Sequence, residues 1–290
     1  DRWIGGPIDP AGNIRPSAEA WRQLLAALHR PSLAELRRDA AVHIVIPRSF
    51  RRLSRVCHAF GPLSAALFQV LGGGAQEACF EDDFGLGASV VIETERFARQ
   101  LEHALDSARI PWAVVGGDLI ERSLERAKWV VVASTGALEP EIVASIERAW
   151  KSDAALSLGP YLPHRDPTFL PISAPPGLPT GDRAVPGLVG LGAESMAAMV
   201  AQAKAALGLP TLDLSPSELL STLHVDVAGT ARVMFVINPT GWAAEATLGS
   251  AGARLAIDAL DGTRFEARSG SLCVQVSGRS VRMLELVHGD

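Results

Sequence analysis

Cysteine is scarce: Cys57, Cys79 and Cys273 lie far apart among 290 residues, with no C-x-x-C pair. That spacing argues against a disulfide framework and against a thiolate zinc site, and leaves three reduced, mostly buried thiols as the expectation. Positive charge is also short, the formal net charge being −5. A general nucleic-acid or anionic-membrane binder needs a cationic surface to repay the loss of counterions, so neither partner is expected. Every long apolar run is interrupted by charge, Gly or Pro before the ~20 residues that a bilayer-spanning helix requires. No apolar signal core stands near Asp1, and the first residue is not Met. The chain therefore reads as an internal piece of a longer polypeptide, and the unpaired cysteines make a cytoplasmic setting the expectation. No repeat of about 20 to 50 residues recurs, which argues against a solenoid or propeller.

Catalytic signatures are missing as well. Cys57 sits in Arg-Val-Cys-His-Ala and Cys79 in Glu-Ala-Cys-Phe-Glu. Neither forms the Gly-flanked strand-to-helix elbow that a nucleophilic cysteine uses, and Cys57 and His58, as sequence neighbours, point in different directions. Gly116-Gly117-Asp118 and Gly85-Leu86-Gly87 fall short of G-x-G-x-x-G, and no phosphate loop ends in Gly-Lys-Ser/Thr, so both read as turns. The seven histidines show no metal-binding spacing, and Glu81-Asp82-Asp83 reads as a solvated acidic loop. His164-Arg165-Asp166 matches a kinase catalytic loop in letters only, and no G-x-S-x-G is present. Asn238-Pro239-Thr240 is no glycosylation acceptor, because Pro occupies its middle position. The residues thus nominate no catalytic, cofactor-binding or metal-binding position, and no cofactor is implied.

What is present is a foldable core. Hydrophobic residues make up 48% and charged ones 20%, enough for roughly two domains of about 100 to 200 residues each. Asp9-Pro10-Ala11-Gly12-Asn13 is turn chemistry, and Ser17 opens a helix whose Trp21, Leu24, Leu25 and Leu28 fall on one stripe that something must cover. From about residue 40, short apolar strands (42–46, 112–115, 129–133, 155–158) alternate with helices marked by Phe97, Leu101, Ala104 and Leu105 and by Ile142, Val143, Ile146 and Trp150. Such alternation predicts a parallel sheet with helices on both faces. Residues 47–88 read as an insertion after the first strand. The Pro-rich passage 160–187 forms a long loop or lid, and a helix follows at about 193–207. Beyond residue 213 the period changes to two, with Ala228-Gly229-Thr230 and Asp261-Gly262 as turns, predicting a small antiparallel β-sandwich with strands at 253–259, 263–267, 271–276 and 280–287. Of the six tryptophans, Trp21, Trp112, Trp129 and Trp150 fall on helices or strands where core packing is the default. Trp3 and Trp242, in loops, are the ligand-platform candidates.

In order along the chain, three stretches resemble the downstream part of a glycoside hydrolase family 42 β-galactosidase. Asp9-Pro10-Ala11-Gly12-Asn13-Ile14-Arg15-Pro16 and its helix resemble the last loop and helix of that family's catalytic barrel. Residues 40–160, with Lys128-Trp129-Val130-Val131-Val132-Ala133 and Leu138-Glu139-Pro140-Glu141, resemble its trimerisation domain. Arg232–Pro239, Asp258–Gly262 and Arg279–Leu284 resemble its C-terminal β domain. The resemblance implies three regions: 1–39, the end of a missing barrel; 40–210, a flavodoxin-like α/β trimerisation domain similar to class I glutamine amidotransferases but without glutaminase residues; and 211–290, a β-sandwich. It further implies a homo-oligomer, a trimer by analogy, whose carbohydrate substrate is held by the barrel. The retaining mechanism implied rests on two barrel carboxylates about 5 to 5.5 Å apart. The barrel strands that carry such carboxylates have no counterpart here, and the asparagine that typically precedes the acid/base is not matched by Asn13 or Asn238, so no catalytic residue is carried over. This chain then reads as a non-catalytic oligomerisation and accessory portion of a β-galactosidase-like enzyme. Two rival readings are an independent hydrolase or transferase, with a site near Pro47, Gly116-Gly117-Asp118 and Ser134-Thr135-Gly136 at the carboxyl ends of the strands, and a carbohydrate-binding module in residues 213–290.

Overall fold

A computed structural model describes residues 8–9, 11–15, 17–29, 33–48, 90–116, 124, 126–167, 170–173, 177–179 and 193–289. Their elements, in chain order, are α1 (Ser17–His29), a short 3-10 turn (Leu33–Glu35), β1 (Arg37–Arg38), β2 (Val42–Ile46), α2 (Val90–Ser107), β3 (Trp112–Gly116), β4 (Trp129–Ser134), α3 (Pro140–Lys151), β5 (Ala155–Pro160) and α4 (Ala193–Leu207). Then come β6 (Leu214–Ser215), β7 (Leu220–Val225), β8 (Ala231–Asn238), β9 (Ala244–Gly249), β10 (Leu255–Asp258), β11 (Arg264–Glu266), β12 (Ser271–Val276) and β13 (Ser280–Val287). The chain divides into two compact units, one of residues 40–211 and one of residues 1–39 with 212–290.

The first unit is a four-stranded parallel sheet in the order β3-β2-β4-β5. Successive side chains of a strand point to opposite faces, and both faces here are covered. Val42, Ile44, Trp129, Val131 and Ala133 pack with Phe97, Leu101 and Leu105 of α2 and with Met196 and Val200 of α4. Val45, Val130, Val132, Leu156 and Leu158 pack with Ile142, Ile146 and Ala149 of α3 on the other side. Burial on both faces is why β2, β4 and β5 carry nearly continuous apolar runs instead of alternating ones, while edge strand β3 leaves Val114 45% exposed. The indole N–H of fully buried Trp129 donates to Ser157 Oγ at 2.9 Å, so the one polar group of that ring is satisfied. Helix α3 begins with Pro140, whose missing N–H costs nothing at that position, and carries Glu141 in its first turn and Arg148 and Lys151 in its last, in line with the helix dipole.

The second unit holds two antiparallel sheets, β1-β7-β8-β13-β10-β11 and β12-β9-β6. Their inner faces share one core: Met234, Val236, Leu284 and Leu286 from the larger sheet meet Ala246, Leu248, Leu272, Val274 and Val276 from the smaller. On the outer face of the larger sheet, Val233, Ala259 and Met283 are covered by Leu28 of α1 with Leu33 and Leu36. The leading segment also supplies a strand, since Arg37 pairs with Val225 and Arg38 with His224, and the Asp39 amide donates to the Leu223 carbonyl at 2.8 Å.

The expected parallel sheet and antiparallel strands are therefore present. Two local expectations need correction. Cys273 is exposed rather than buried, because it lies on the outer face of β12 where alternate residues Leu272 and Val274 take the core positions. Trp21 does not pack in a core: it is 51% exposed, because only the Leu28 end of the α1 stripe reaches the β sheet. Residues 49–89, with Cys57, His58, Cys79, the Gly72-Gly73-Gly74 and Gly85-Leu86-Gly87 clusters and Glu81-Asp82-Asp83, lie outside the described residues, as do Trp3, Gly117 and Asp118. Within 161–179 the described residues form only isolated bridges at Arg165 and Pro171.

Candidate functional site

Parallel pairing puts Ile46 beside Gly116 and Val45 beside Val132, so Pro47, Gly116 and Ser134 come to the same carboxyl edge of adjacent strands. This is where open α/β sheets bind ligands. Of these positions only Ser134 and its neighbour Thr135 carry reactive groups, and they are 0% and 3% exposed. The Ser134 hydroxyl accepts the Gly136 amide at 3.0 Å, and the Thr94 hydroxyl of α2 lies 3.5 Å from the Ser134 carbonyl. Gly136 has φ +89°, a left-handed conformation that glycine adopts without steric cost, and a Cβ there would sit 2.4 Å from His164 Cε1. The segment after β5 is pinned on the same glycine, because the amides of His164 and Arg165 both donate to its carbonyl, at 2.8 and 2.9 Å. His164 Nδ1 lies 2.9 Å from the Leu162 carbonyl, which selects the Nδ1-protonated tautomer as donor. Asp166 Oδ1 accepts the Leu170 amide at 3.0 Å. The His164-Arg165-Asp166 triplet thus shapes a loop that bonds back to Gly136 beyond β4.

Two polar constructions organise the β unit. Asp258, fully buried, accepts Arg282 Nη1 at 2.9 Å and the Leu260 amide at 2.8 Å; Arg282 also bridges Asp261 and donates from Nε to the Gln275 carbonyl at 3.0 Å. Burial opposes the guanidinium charge, but the two carboxylates outweigh that and hold the Arg282 pKa above its ordinary value. Asp261 is held below the usual carboxylate range by hydrogen bonding to Thr263 and by Arg282. The second construction is Asn238, 1% exposed, which donates to the carbonyls of Trp242 (2.8 Å) and Val276 (3.1 Å) and accepts the Thr240 amide (3.0 Å) and hydroxyl (2.7 Å). It fixes the turn that presents Trp242, itself 67% exposed. Sequence reading picked out Trp242 but not its support; the signal was the Asn-Pro-Thr-Gly run, in which an Asn side chain caps its own following backbone.

His224 lies across the sheet from Arg38 and meets the Phe235 ring edge-on at 5.3 Å between centroids. Burial first, then the Arg38 charge, pulls its pKa below the usual histidine value.

No family model and no curated protein matches the chain. Solved structures do. A catalytic mutant of Gan42B, a GH42 β-galactosidase from G. stearothermophilus, matches with a TM-score of 0.50 at 11% identity, over 86% of this chain and 40% of that one. Its fold resembles part of a β-galactosidase. α-L-fucosidase isoenzyme 2 from Paenibacillus thiaminolyticus matches with a TM-score of 0.50 at 9% identity, over 98% of this chain and 54% of that one. The chain therefore spans about half or less of the length of these structures, and at such identities the likeness is one of fold.

Proposed function

We propose that this chain is the non-catalytic oligomerisation and accessory portion of a glycoside hydrolase that acts on β-galactosides, similar in architecture to the downstream part of GH42 β-galactosidases. In this reading residues 40–210 are a flavodoxin-like, amidotransferase-like assembly domain, residues 211–290 an accessory β-sandwich, and residues 1–39 the end of a catalytic barrel that carries the reacting carboxylates. The assembled enzyme is a homo-oligomer, a trimer by analogy, in a cytoplasmic setting.

The observation that carries the reading is the uncovered face of α1. Trp21, Leu24 and Leu25 are 51%, 37% and 50% exposed, and Ile8 and Ile14, bridged to each other across the preceding turn, are exposed too. The Asn13 side chain donates to Asp9 Oδ2 and Asp9 Oδ1 accepts the amides of Asn13 and Ala11, at 2.8 and 2.9 Å; the Asn13 side chain first, then these amides, hold the Asp9 carboxyl below its usual pKa. Burying each large apolar side chain fully is worth about 2 kcal/mol, so these five exposed side chains call for cover, which in this reading the rest of the barrel supplies. The fold likeness to part of a larger glycosidase supports the same assignment.

Light scattering on the intact chain at micromolar concentrations tests it, with a chromogenic β-galactoside assay alongside. A closed oligomer without turnover is expected. A strict monomer would overturn the assembly role. Turnover that Asp118→Ala abolishes would overturn the non-catalytic assignment in favour of an independent enzyme working at the strand ends.

A further inference from the structure

We infer that the paired loops 238–242 and 276–280 of the β unit form a carbohydrate-contact site in which the Trp242 ring stacks on the apolar flank of a pyranose. Three observations carry this. First, the ring is offered to solvent at 67% exposure from a backbone that is locked in place, its carbonyl held by buried Asn238. Second, the two loops approach as closely as backbone allows: a Cβ on Gly278 would lie 2.6 Å from the Gly241 carbonyl carbon and 2.7 Å from the Trp242 nitrogen, and the Arg279 amide donates to the Thr240 carbonyl at 2.7 Å. A rigid platform loses little freedom when it binds, which is what a small, weakly held ligand requires. Third, the surroundings decide between occupants. Among the described residues 238–243 and 276–280, Trp242 is the one exposed large hydrophobic side chain, and the facing loop carries exposed Ser277 and Arg279 on either side of Gly278. A protein interface needs roughly 800 Å² per partner with an apolar centre, whereas one ring supplies about 200 Å². A sugar ring needs one aromatic face and a few hydrogen-bonding groups, and this tip provides both.

The site stands apart from the assembly role, since it lies outside residues 40–210. Amide and indole NMR spectra of the intact 15N-labelled chain, titrated separately with lactose and with cellobiose, test it. Expected are saturable shifts of the Trp242 indole N–H and of the Gly241 and Gly278 amides in the parent, with the affinity read from the two amides weakened at least about tenfold, the equivalent of 1.4 kcal/mol, in Trp242→Ala and largely kept in Trp242→Phe. Thermal melts of both variants should match the parent, because the ring buries little. Resonances unmoved by either sugar at its solubility limit would overturn the proposal, as would equal shifts in Trp242→Ala. Broadening of the Trp242 signal with protein concentration alone would also overturn it, placing a second copy of the chain on the ring.

Discussion

Arg282 and Asp258 show how one buried charge constrains a whole corner. Asp258 has no exposure, so its carboxylate depends on the guanidinium that reaches it from β13. Arg282→Ala is expected to cost about 3 kcal/mol, since removing one partner strands the other charge in a poorly solvated site. Asp258→Asn combined with Arg282→Met should recover part of that loss, and urea denaturation of the three variants measures both. His224 gives a pH-dependent counterpart. Its folded pKa is depressed, so the unfolded state binds the proton more readily. The associated stability is present above the unfolded value and is lost as pH falls through the folded one. Melting temperature should drop between about pH 7 and pH 5, and His224→Gln should flatten that limb. A limb unchanged in His224→Gln would assign it to other groups.

Elements differ in how much of themselves they write into local pattern. Strands β2, β4 and β5 announce themselves through short runs such as Trp129-Val130-Val131-Val132, and β12 through strict alternation. β9 is silent, because Ala-Glu-Ala-Thr-Leu-Gly places two alanines, of low strand propensity, beside Leu248 at its inward positions. β1 is two arginines, and no propensity marks it; its strand state comes from pairing with β7 alone. The strand edge was legible as a place, but the closeness of Gly136 to His164 was not, since it depends on a loop that returns from beyond β5. Gly136→Ala should destabilise by about 1 to 2 kcal/mol from the left-handed backbone alone, with more from the ring contact. Adding His164→Ala should restore only the steric share, which a double-mutant cycle of melting curves separates.

At the scale of the molecule, the amphipathic stripe of α1 was readable from spacing, while its half-covered state was not, because cover comes from whatever lies near in space. Leu25→Ser should leave the stability within about 0.5 kcal/mol of the parent, as a surface change does, and leave the oligomer intact in sedimentation analysis. Loss of the oligomer in Leu25→Ser and Trp21→Ser together would make α1 the seam instead. The sequence likewise hinted at the two core patterns but not at their nesting, in which residues 1–39 join 212–290 and residues 40–211 lie between.

That nesting sets a timetable for biosynthesis. Leu28, Leu33 and Leu36 leave the ribosome about 200 or more residues before Val233, Ala259 and Met283, the buried residues they pack against. The intervening unit, made from one uninterrupted stretch, completes its own hydrophobic interior first. At about 5 to 20 residues per second, the early leucines wait on the order of ten seconds or more, during which chaperones or a neighbouring nascent chain can claim them.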